Sequence, residues 1–212
     1  MNITENISAA LQAGKMADVQ ALTQQALDEG LTAATILNEA LLAGMSIIGE
    51  KFKAAEVFVP EVMVAARAMN AGLELLKPHL AADSMAASGV VVLGTVKGDL
   101  HDIGKNLVKI MMEGKGLKVI DLGVNVPVEK FIAAAEENKA NVIACSSLLT
   151  TTMGEMQTVV ETLKASALAG KVRVMVGGAP INQSFCAQIG ADAYAETAAD
   201  AADTAYELCK AG

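Results

Sequence analysis

Residues 90–104 read VVVLGTVKGDLHDIG, an apolar run followed by a loop that holds one of only two histidines in the chain. The continuous run of valine and leucine over 90–93 predicts a β-strand that is buried on both faces. Apolar residues then recur at helical spacing from Ile103, which predicts a helix that ends near Gly114 or Gly116. The stretch is therefore predicted to be a strand–loop–helix unit with its histidine in the loop.

Four more strand–helix units follow this first one. The strands are predicted at Lys118–Leu122, Val142–Ser146, Val172–Val176 and Asp192–Ala195, and the helices after them begin near Pro127, Met153, Ile181 and Ala198. Five such units predict an α/β fold with a flavodoxin-like, doubly wound parallel sheet in the strand order 2-1-3-4-5. Ligands of these sheets bind at the carboxyl ends of the strands, which is where His101 is expected.

The residues before this sheet have the pattern of helices only. Residues 2–5 form a capping-box pattern, glycines separate the next segments, and Pro60 suits the first turn of the last helix. Apolar residues recur at helical spacing in two longer segments, at Leu37, Leu41, Met45, Ile48 and Phe52, and at Val62, Ala66, Met69, Leu73 and Leu76. We therefore predict a four-helix bundle as a cap domain at 1–82, a linker at 83–88 and the sheet domain at 89–212.

Composition excludes several classes of partner. The formal net charge is −8 and 53% of the residues are hydrophobic, which describes a soluble acidic protein without a basic patch for nucleic acid. No apolar run has the length of a membrane span, and Met1–Glu5 lacks a signal-peptide pattern, so no membrane partner is expected. The chain has three widely separated cysteines, Cys145, Cys186 and Cys209. This pattern is typical of reduced thiols, so a cytoplasmic protein is predicted.

Three motifs are expected to meet at the carboxyl edge of the sheet. The first is Asp99-x-His101-x-x-Gly104, in which a carboxylate can orient the histidine ring towards a metal. The second is Ser146-Ser147-Leu148 with threonines after it, and the third is Gly177-Gly178. Each motif alone is explained by a surface histidine, loop-capping hydroxyls or a glycine turn. Their coincidence at one edge favours a deep slot for a flat or elongated group.

Together these motifs closely resemble the cobalamin-binding module of cobalamin-dependent methionine synthase and, more closely, the free-standing corrinoid proteins of methyltransferase systems. Those families carry D-x-H-x-x-G, then S-x-L after about forty residues, then G-G after fewer than thirty, as this chain does. The first half resembles the helical cap over the upper face of the corrin at Gly44-Met45, Ile48-Gly49, Phe52, Glu56, Phe58-Val59-Pro60 and Met63. The resemblance therefore covers nearly the whole chain.

The resemblance implies a role for each matching residue. His101 would be the lower axial ligand of cobalt in place of the nucleotide base, with Asp99 bonded to its other ring nitrogen and the Thr152 hydroxyl completing a relay. These three are the expected catalytic residues, and His101 is the expected metal ligand. Lys97 and Lys105 flank the loop, where solvated side chains are expected. The expected cofactor-binding residues are Phe52 and Val59 in the cap and Asp102, Ile103, Gly104, Ser146, Leu148, Thr150, Gly177, Gly178 and Tyr194 around the corrinoid and its nucleotide tail.

The same resemblance implies a methyl carrier that needs partner enzymes for turnover. The bound cobalamin would accept a methyl group on cobalt(I) from a substrate-specific methyltransferase, and would deliver it from methyl-cobalt(III), the methylcobalamin form, to a second methyltransferase acting on a pterin or a thiol. A reductive activation protein would be a further partner. The methyl donor stays open among methanol, methylamines, betaines and aryl methyl ethers. A mutase subunit and a cobalamin-dependent sensor are the alternatives; the helical cap argues against the first, and the lack of a basic segment for DNA argues against the second.

Overall fold

The chain folds as two compact units. The computed structural model describes residues 2–79 and 88–211, and packing divides the chain into Met1–Ala86 and Ala87–Gly212. The predicted bounds of the two domains and of the linker at 83–88 stay a prediction, because residues 83–87 lie outside the described residues. None of the described helices is both long and apolar enough to cross a lipid bilayer.

The first unit is built from helices. Its first helix begins as predicted, because the Asn2 side chain accepts from the Glu5 N–H and the Glu5 carboxylate accepts from the Asn2 N–H, both at 2.9 Å. The elements are α1 (Ile3–Gln12), α2 (Met16–Asp28), α3 (Ala33–Ile36), a π-helical segment (Leu37–Leu42), α4 (Ala43–Lys53), α5 (Val59–Leu76) and a 3₁₀ turn (Lys77–His79). Since α3, the π-helical segment and α4 are continuous in sequence, the unit contains the four helical runs that were predicted.

A π-helical segment lies within the third helical run, at Leu37–Leu42. Leu37, Leu41 and Met45 recur every four residues, which is wider than the 3.6 residues of an α-helical turn. A π-helical turn is wider because its hydrogen bonds run to the fifth residue. With the π-helical segment in place, Leu41 and Met45 are both buried. The helix itself was predicted, but this change of winding within it was not.

The second unit is the predicted parallel sheet with helices. Its strands are in the order β2-β1-β3-β4-β5, and all four neighbouring pairs are parallel, as predicted. The end of β1 lies two residues beyond the predicted one, at Thr95, and the bounds of the other strands differ by one residue at most. The elements are β1 (Val90–Thr95), α6 (Ile103–Gly114), β2 (Lys118–Asp121), α7 (Val128–Glu137), β3 (Val142–Ser146), a 3₁₀ turn (Thr150–Thr152), α8 (Met153–Lys164), β4 (Arg173–Gly177), α9 (Gln183–Ile189), β5 (Ala193–Ala195) and α10 (Ala198–Lys210).

The register of the three central strands brings their carboxyl ends side by side. Thr95 at the end of β1 pairs with Ser146 at the end of β3, and Ser146 pairs with Gly177 at the end of β4. The strands themselves are almost entirely buried, which anchors this register in the hydrophobic core. The loops that leave β1, β3 and β4 therefore start at the same edge, and they carry the three sequence motifs.

Candidate functional site

Asp99 and His101 form the first contact of the site. The side chain of Asp99 is fully buried, whereas that of His101 is 52% exposed. The Oδ1 atom of Asp99 accepts from the main-chain N–H of His101 at 3.1 Å and lies 2.8 Å from its Nδ1. Because an ionised carboxylate can only accept, Nδ1 is the ring nitrogen that carries the proton. The lone pair of Nε2 is therefore left for a ligand on the exposed part of the ring.

The second oxygen of Asp99 is held by the loop that follows β3. Oδ2 accepts from the main-chain N–H groups of Leu148 at 2.7 Å and Leu149 at 3.2 Å, and from the Thr152 hydroxyl at 3.1 Å. Burial by itself raises the pKa of Asp99, but the hydrogen bonds from Leu148, His101 and Leu149 outweigh it and hold the pKa well below its usual range. Asp99 is thus an ionised carboxylate fixed against the imidazole.

Two hydroxyls extend this contact further into the protein. The Ser147 Oγ lies 2.9 Å from the Thr152 Oγ1 and 3.4 Å from Asp99 Oδ2, and both hydroxyls are buried. Each hydroxyl has one proton, so the set is satisfied when Ser147 donates to Thr152 and Thr152 donates to Asp99. Sequence reasoning placed Thr152 near Asp99 but missed Ser147. The available signal for Ser147 was its place directly after a buried strand, one residue beyond the Ser146 that had been selected.

The two predicted glycines allow close backbone approach at the end of β4. A Cβ atom on Gly178, whose φ is +130°, would lie 1.8 Å from the carbonyl oxygen of Ser147. A Cβ atom on Gly177 would lie 3.2 Å from the carbonyl oxygen of Ala195. Gly178 therefore lets β4 pass directly against the loop that holds Asp99, in addition to any role in lining a slot.

An exposed apolar rim lies around His101 in the same loops. Leu100 is 71% exposed and Ile103 is 80% exposed, and Leu148 and Leu149 are also exposed. Asp102 is exposed at the N-terminus of α6, and a Cβ atom added to Gly104 would have no neighbour within 4 Å. Exposed apolar side chains of this size next to an open helix start indicate a surface that a ligand covers.

The remaining predicted residues are not joined to the Asp99–His101 contact in the structure. Ser146 contributes its main chain, because its carbonyl accepts from the Val96 N–H at 3.0 Å. Thr150 is exposed in the 3₁₀ turn, and Tyr194 is partly buried on β5 against the hydrophobic core. The cap residues, Phe52 at the end of α4 and Val59 at the start of α5, are half-buried in the first unit. Their roles stay predictions.

Lys105 differs from the expectation of a solvated side chain. It is only 3% exposed, and its Nζ donates to Asp121 Oδ1 and to the side-chain oxygen of Asn106 at 2.7 and 2.8 Å. The expectation was wrong because the side chain turns inward from the first turn of α6 to the end of β2. The ion pair ties the helix after the histidine loop to the edge strand.

Comparison with known proteins identifies the family. Residues 89–203 match the B12 binding domain family, and residues 3–77 match a second family that is also described as a B12 binding domain. A corrinoid protein of Desulfitobacterium hafniense strain Y51 is 40% identical over 98% of this chain and 98% of its own length. This chain belongs to the corrinoid proteins.

Two further relatives of this corrinoid protein are informative. Dimethylamine corrinoid protein 1 of Methanosarcina mazei is 41% identical over 97% of this chain and 95% of its own length. A chain in the crystal structure of the methanol:cobalamin methyltransferase complex MtaBC from Methanosarcina barkeri is 32% identical, with a TM-score of 0.89 over 99% of this chain and 80% of that chain. The fold with its helical first unit is thus shared along nearly the full length.

The residues of this corrinoid protein fit its cobalamin-type cofactor. Within residues 2–79 and 88–211, no cluster of three or more His, Cys, Asp or Glu side chains is placed to hold a bare metal ion. His101 offers one ring nitrogen, and a single axial donor suits a metal that brings its own macrocycle. The apolar rim at Leu100 and Ile103 and the open space at Gly104 suit the edge of a large, partly apolar ring.

Proposed function

We propose that this protein is a corrinoid methyl carrier with His101 as the lower ligand of cobalt. It would receive a methyl group from a substrate-specific methyltransferase and pass it to a second methyltransferase that acts on a pterin or a thiol. The observation that carries the proposal is the fixed contact of a buried, ionised Asp99 with His101 Nδ1 at 2.8 Å, which leaves Nε2 free of this contact on a half-exposed side chain. The names of the relatives favour this carrier over a mutase subunit or a sensor.

The chemistry needs a ligand whose donor strength the protein can set. When bound, the corrinoid supplies a cobalt that takes up a methyl group as a nucleophile and later releases it to an acceptor. Asp99 fixes the ring because its carboxylate accepts the hydrogen bond from Nδ1–H, which also strengthens Nε2 as a donor to a metal. Thr152 and Ser147 keep that carboxylate in place.

The apolar rim and the cap have separate proposed tasks. Ile103, Gly104 and Leu148 would line the entry for the displaced nucleotide tail, together with the glycines at the end of β4. Phe52 and Val59 would cover the reactive upper face, because an apolar cover excludes water and oxidants while the methyl group is held. The cover must also give way to both partner enzymes.

The donor and the partners follow from the relatives only as proposals. One relative is named for dimethylamine, and one solved complex is named for methanol. We therefore propose methylated amines and methanol as the first donor classes to test, with a cognate methyltransferase as the partner. A reductive activation protein and a cytoplasmic location complete the proposal.

Reconstitution with hydroxocobalamin tests the ligand assignment. The wild type, His101→Ala and His79→Ala are mixed with the cofactor, separated from the excess, and compared by absorbance spectroscopy. His79 is the matched control, because it is the other histidine and lies exposed in the first unit. The wild type and His79→Ala should give the same spectrum, and His101→Ala should lose the signature of a histidine ligand.

Two results would count against different parts of the proposal. If the wild type retains no corrinoid, the carrier function is wrong. If His101→Ala retains the spectrum of the wild type, the corrinoid binds but His101 is not its ligand. Methyl transfer is then tested by adding methylamines or methanol with candidate methyltransferases to the reconstituted protein under reducing conditions, and by following the spectrum of the bound cofactor.

A further inference from the structure

We propose that Thr95 and Asn125 are positioning residues that hold the main chain of the histidine loop in the conformation needed for cobalt coordination. The inference rests on the proposed role of His101 as the cobalt ligand. It goes beyond the Asp99 contact, which orients the ring, because it concerns the backbone that carries the ring. Both residues lie outside the three sequence motifs.

Thr95 is the last residue of β1 and is fully buried. Its hydroxyl donates to the carbonyl oxygen of His101 at 2.8 Å. Its own main chain is held on both sides, because its N–H donates to the Gly123 carbonyl and its carbonyl accepts from the Val126 N–H, both at 3.0 Å. The buried Thr95 side chain, at a fixed strand end, therefore holds the main chain of His101, which is the proposed ligand residue.

Asn125 contacts the main chain three and two residues before the histidine, at Gly98 and Asp99. Its side-chain oxygen accepts from the Gly98 N–H at 2.8 Å, and its main-chain N–H donates to the Asp99 carbonyl at 2.9 Å. It adopts a left-handed backbone with φ of +53°, a conformation that asparagine tolerates better than most residues. In this conformation both its side-chain oxygen and its main-chain N–H reach the histidine loop.

Three successive contacts thus fix the loop from outside, at the Gly98 N–H, the Asp99 carbonyl and the His101 carbonyl. None of them uses the imidazole ring or the Asp99 carboxylate, so they add to the one main-chain contact that this carboxylate makes in the loop, with the His101 N–H at 3.1 Å. A ligand that is already in place before the cofactor arrives loses less conformational freedom on binding. Removing one of these hydrogen bonds should therefore weaken coordination by His101 while the histidine itself stays in the protein.

The experiment compares three variants with the wild type, using aquocobinamide as the probe. This corrinoid lacks the nucleotide base, so a nitrogen ligand on its lower face comes from the protein. Thr95→Val keeps the shape but loses the donor, Thr95→Ser keeps the donor, and Asn125→Gly keeps the backbone conformation but loses the side-chain acceptor. Binding is measured by titration, and the nitrogen ligand by electron paramagnetic resonance of the reduced cobalt(II) form in nitrogen-15-labelled protein.

We expect Thr95→Val to weaken binding roughly five- to thirty-fold, as the loss of one buried hydrogen-bond donor does. The fraction of bound probe with a protein nitrogen should fall with it. Thr95→Ser should stay within about three-fold of the wild type. Asn125→Gly should lie between them, because Gly98 is exposed and water can replace the lost acceptor. Loss of stability alone would reduce the amount of probe bound but not the fraction that carries the nitrogen.

The outcomes separate this inference from the proposed function. If the wild type binds the probe without a protein nitrogen, the assignment of His101 as the ligand fails. If the wild type shows the nitrogen and Thr95→Val shows the same fraction and affinity, the positioning role of Thr95 is overturned. If Thr95→Val does not fold, the same comparison is made with Asn125→Gly. The proposal is then overturned if the fraction of bound probe that carries a protein nitrogen is unchanged from the wild type.

Discussion

Replacement of Asp99 by asparagine should destabilise the protein even without its cofactor. The carboxylate is fully buried, and N–H donors face both of its oxygens. Oδ1 faces the N–H and Nδ1 of His101, and Oδ2 faces the N–H groups of Leu148 and Leu149. An asparagine side chain has one acceptor atom where the aspartate has two. Whichever way the amide turns, its NH₂ group must meet donors.

The size of the loss follows from the number of bonds changed. If the amide oxygen keeps the bonds from Leu148 and Leu149, they lose their charge assistance, about 1 kcal/mol each. The NH₂ group then meets the His101 side, where the main-chain N–H loses its acceptor at a cost of roughly 1–2 kcal/mol. The imidazole can adapt only by moving its proton to Nε2, because Nδ1 must accept from the amide. We therefore expect a loss of about 3–4 kcal/mol in the free energy of unfolding and a change of tautomer.

Urea unfolding of the cofactor-free protein at pH 7 measures the loss, and nitrogen NMR of labelled histidine measures the tautomer. Asp102→Asn is the matched control, since Asp102 is exposed and makes one side-chain contact, with Asn106 at 3.2 Å. The control should stay within about 0.5 kcal/mol of the wild type. A loss below about 1 kcal/mol for Asp99→Asn, or a proton that stays on Nδ1, would refute the reasoning.

Four further predictions concern two glycines, an ion pair and the thiols. Gly104→Ala should leave stability unchanged or raise it by about 0.5–1 kcal/mol, because its Cβ meets only open space in a helix, yet should weaken corrinoid binding in equilibrium dialysis. Gly178→Ala should lose about 2–4 kcal/mol in urea unfolding, because its Cβ would overlap the Ser147 carbonyl at a φ of +130°; a neutral effect would contradict this. Burial raises the pKa of Asp121, but the hydrogen bonds from Lys105 and the Gly123 N–H and the charges of Lys105 and Lys109 outweigh it and lower the pKa. The ion pair with Lys105 therefore contributes about 1 kcal/mol at most after solvent screening, present above the unfolded pKa near 4 and lost as pH falls through the lower folded pKa. Asp121→Asn should flatten the stability curve below about pH 5. All three cysteines are buried and burial raises their thiol pKa values, so a disulfide reagent should label the protein only after unfolding; labelling of the native protein would contradict the packing.

The fold was predictable because its signals are local. The apolar run of β1, the capping box at Asn2–Glu5 and the regular alternation of strands with helices each depend on neighbouring residues. The strand order followed from the number and type of units. The π-helical segment at Leu37–Leu42 was not predicted, because a four-residue apolar spacing also occurs within an ordinary α-helix.

The site was predictable only where side-chain types carry the signal. Asp99 and His101 stand out through their chemistry, and Thr152 was found through the resemblance. Thr95 and Asn125 form hydrogen bonds with main-chain groups of the histidine loop. These contacts depend on three-dimensional placement, so they leave no spacing pattern in the sequence. Lys105 was wrongly expected in solvent. It lies on α6 and its partner Asp121 lies on β2, and only the fold brings the two side chains together.

The register of the core strands sets the geometry of the ligand. His101 leaves the end of β1, and the donors that hold Asp99 Oδ2 leave the end of β3, so their distance depends on the pairing of Thr95 with Ser146. A shift of this pairing by one residue would move the ends of β1 and β3 relative to one another by about 3.3 Å along the strands. The pairing that builds the sheet is therefore also what brings the Leu148 N–H within 2.7 Å of the Asp99 carboxylate. It follows that core substitutions in β1 or β3 which disturb this register should alter the Asp99–His101 contact, and with it the proposed cobalt coordination, as well as stability.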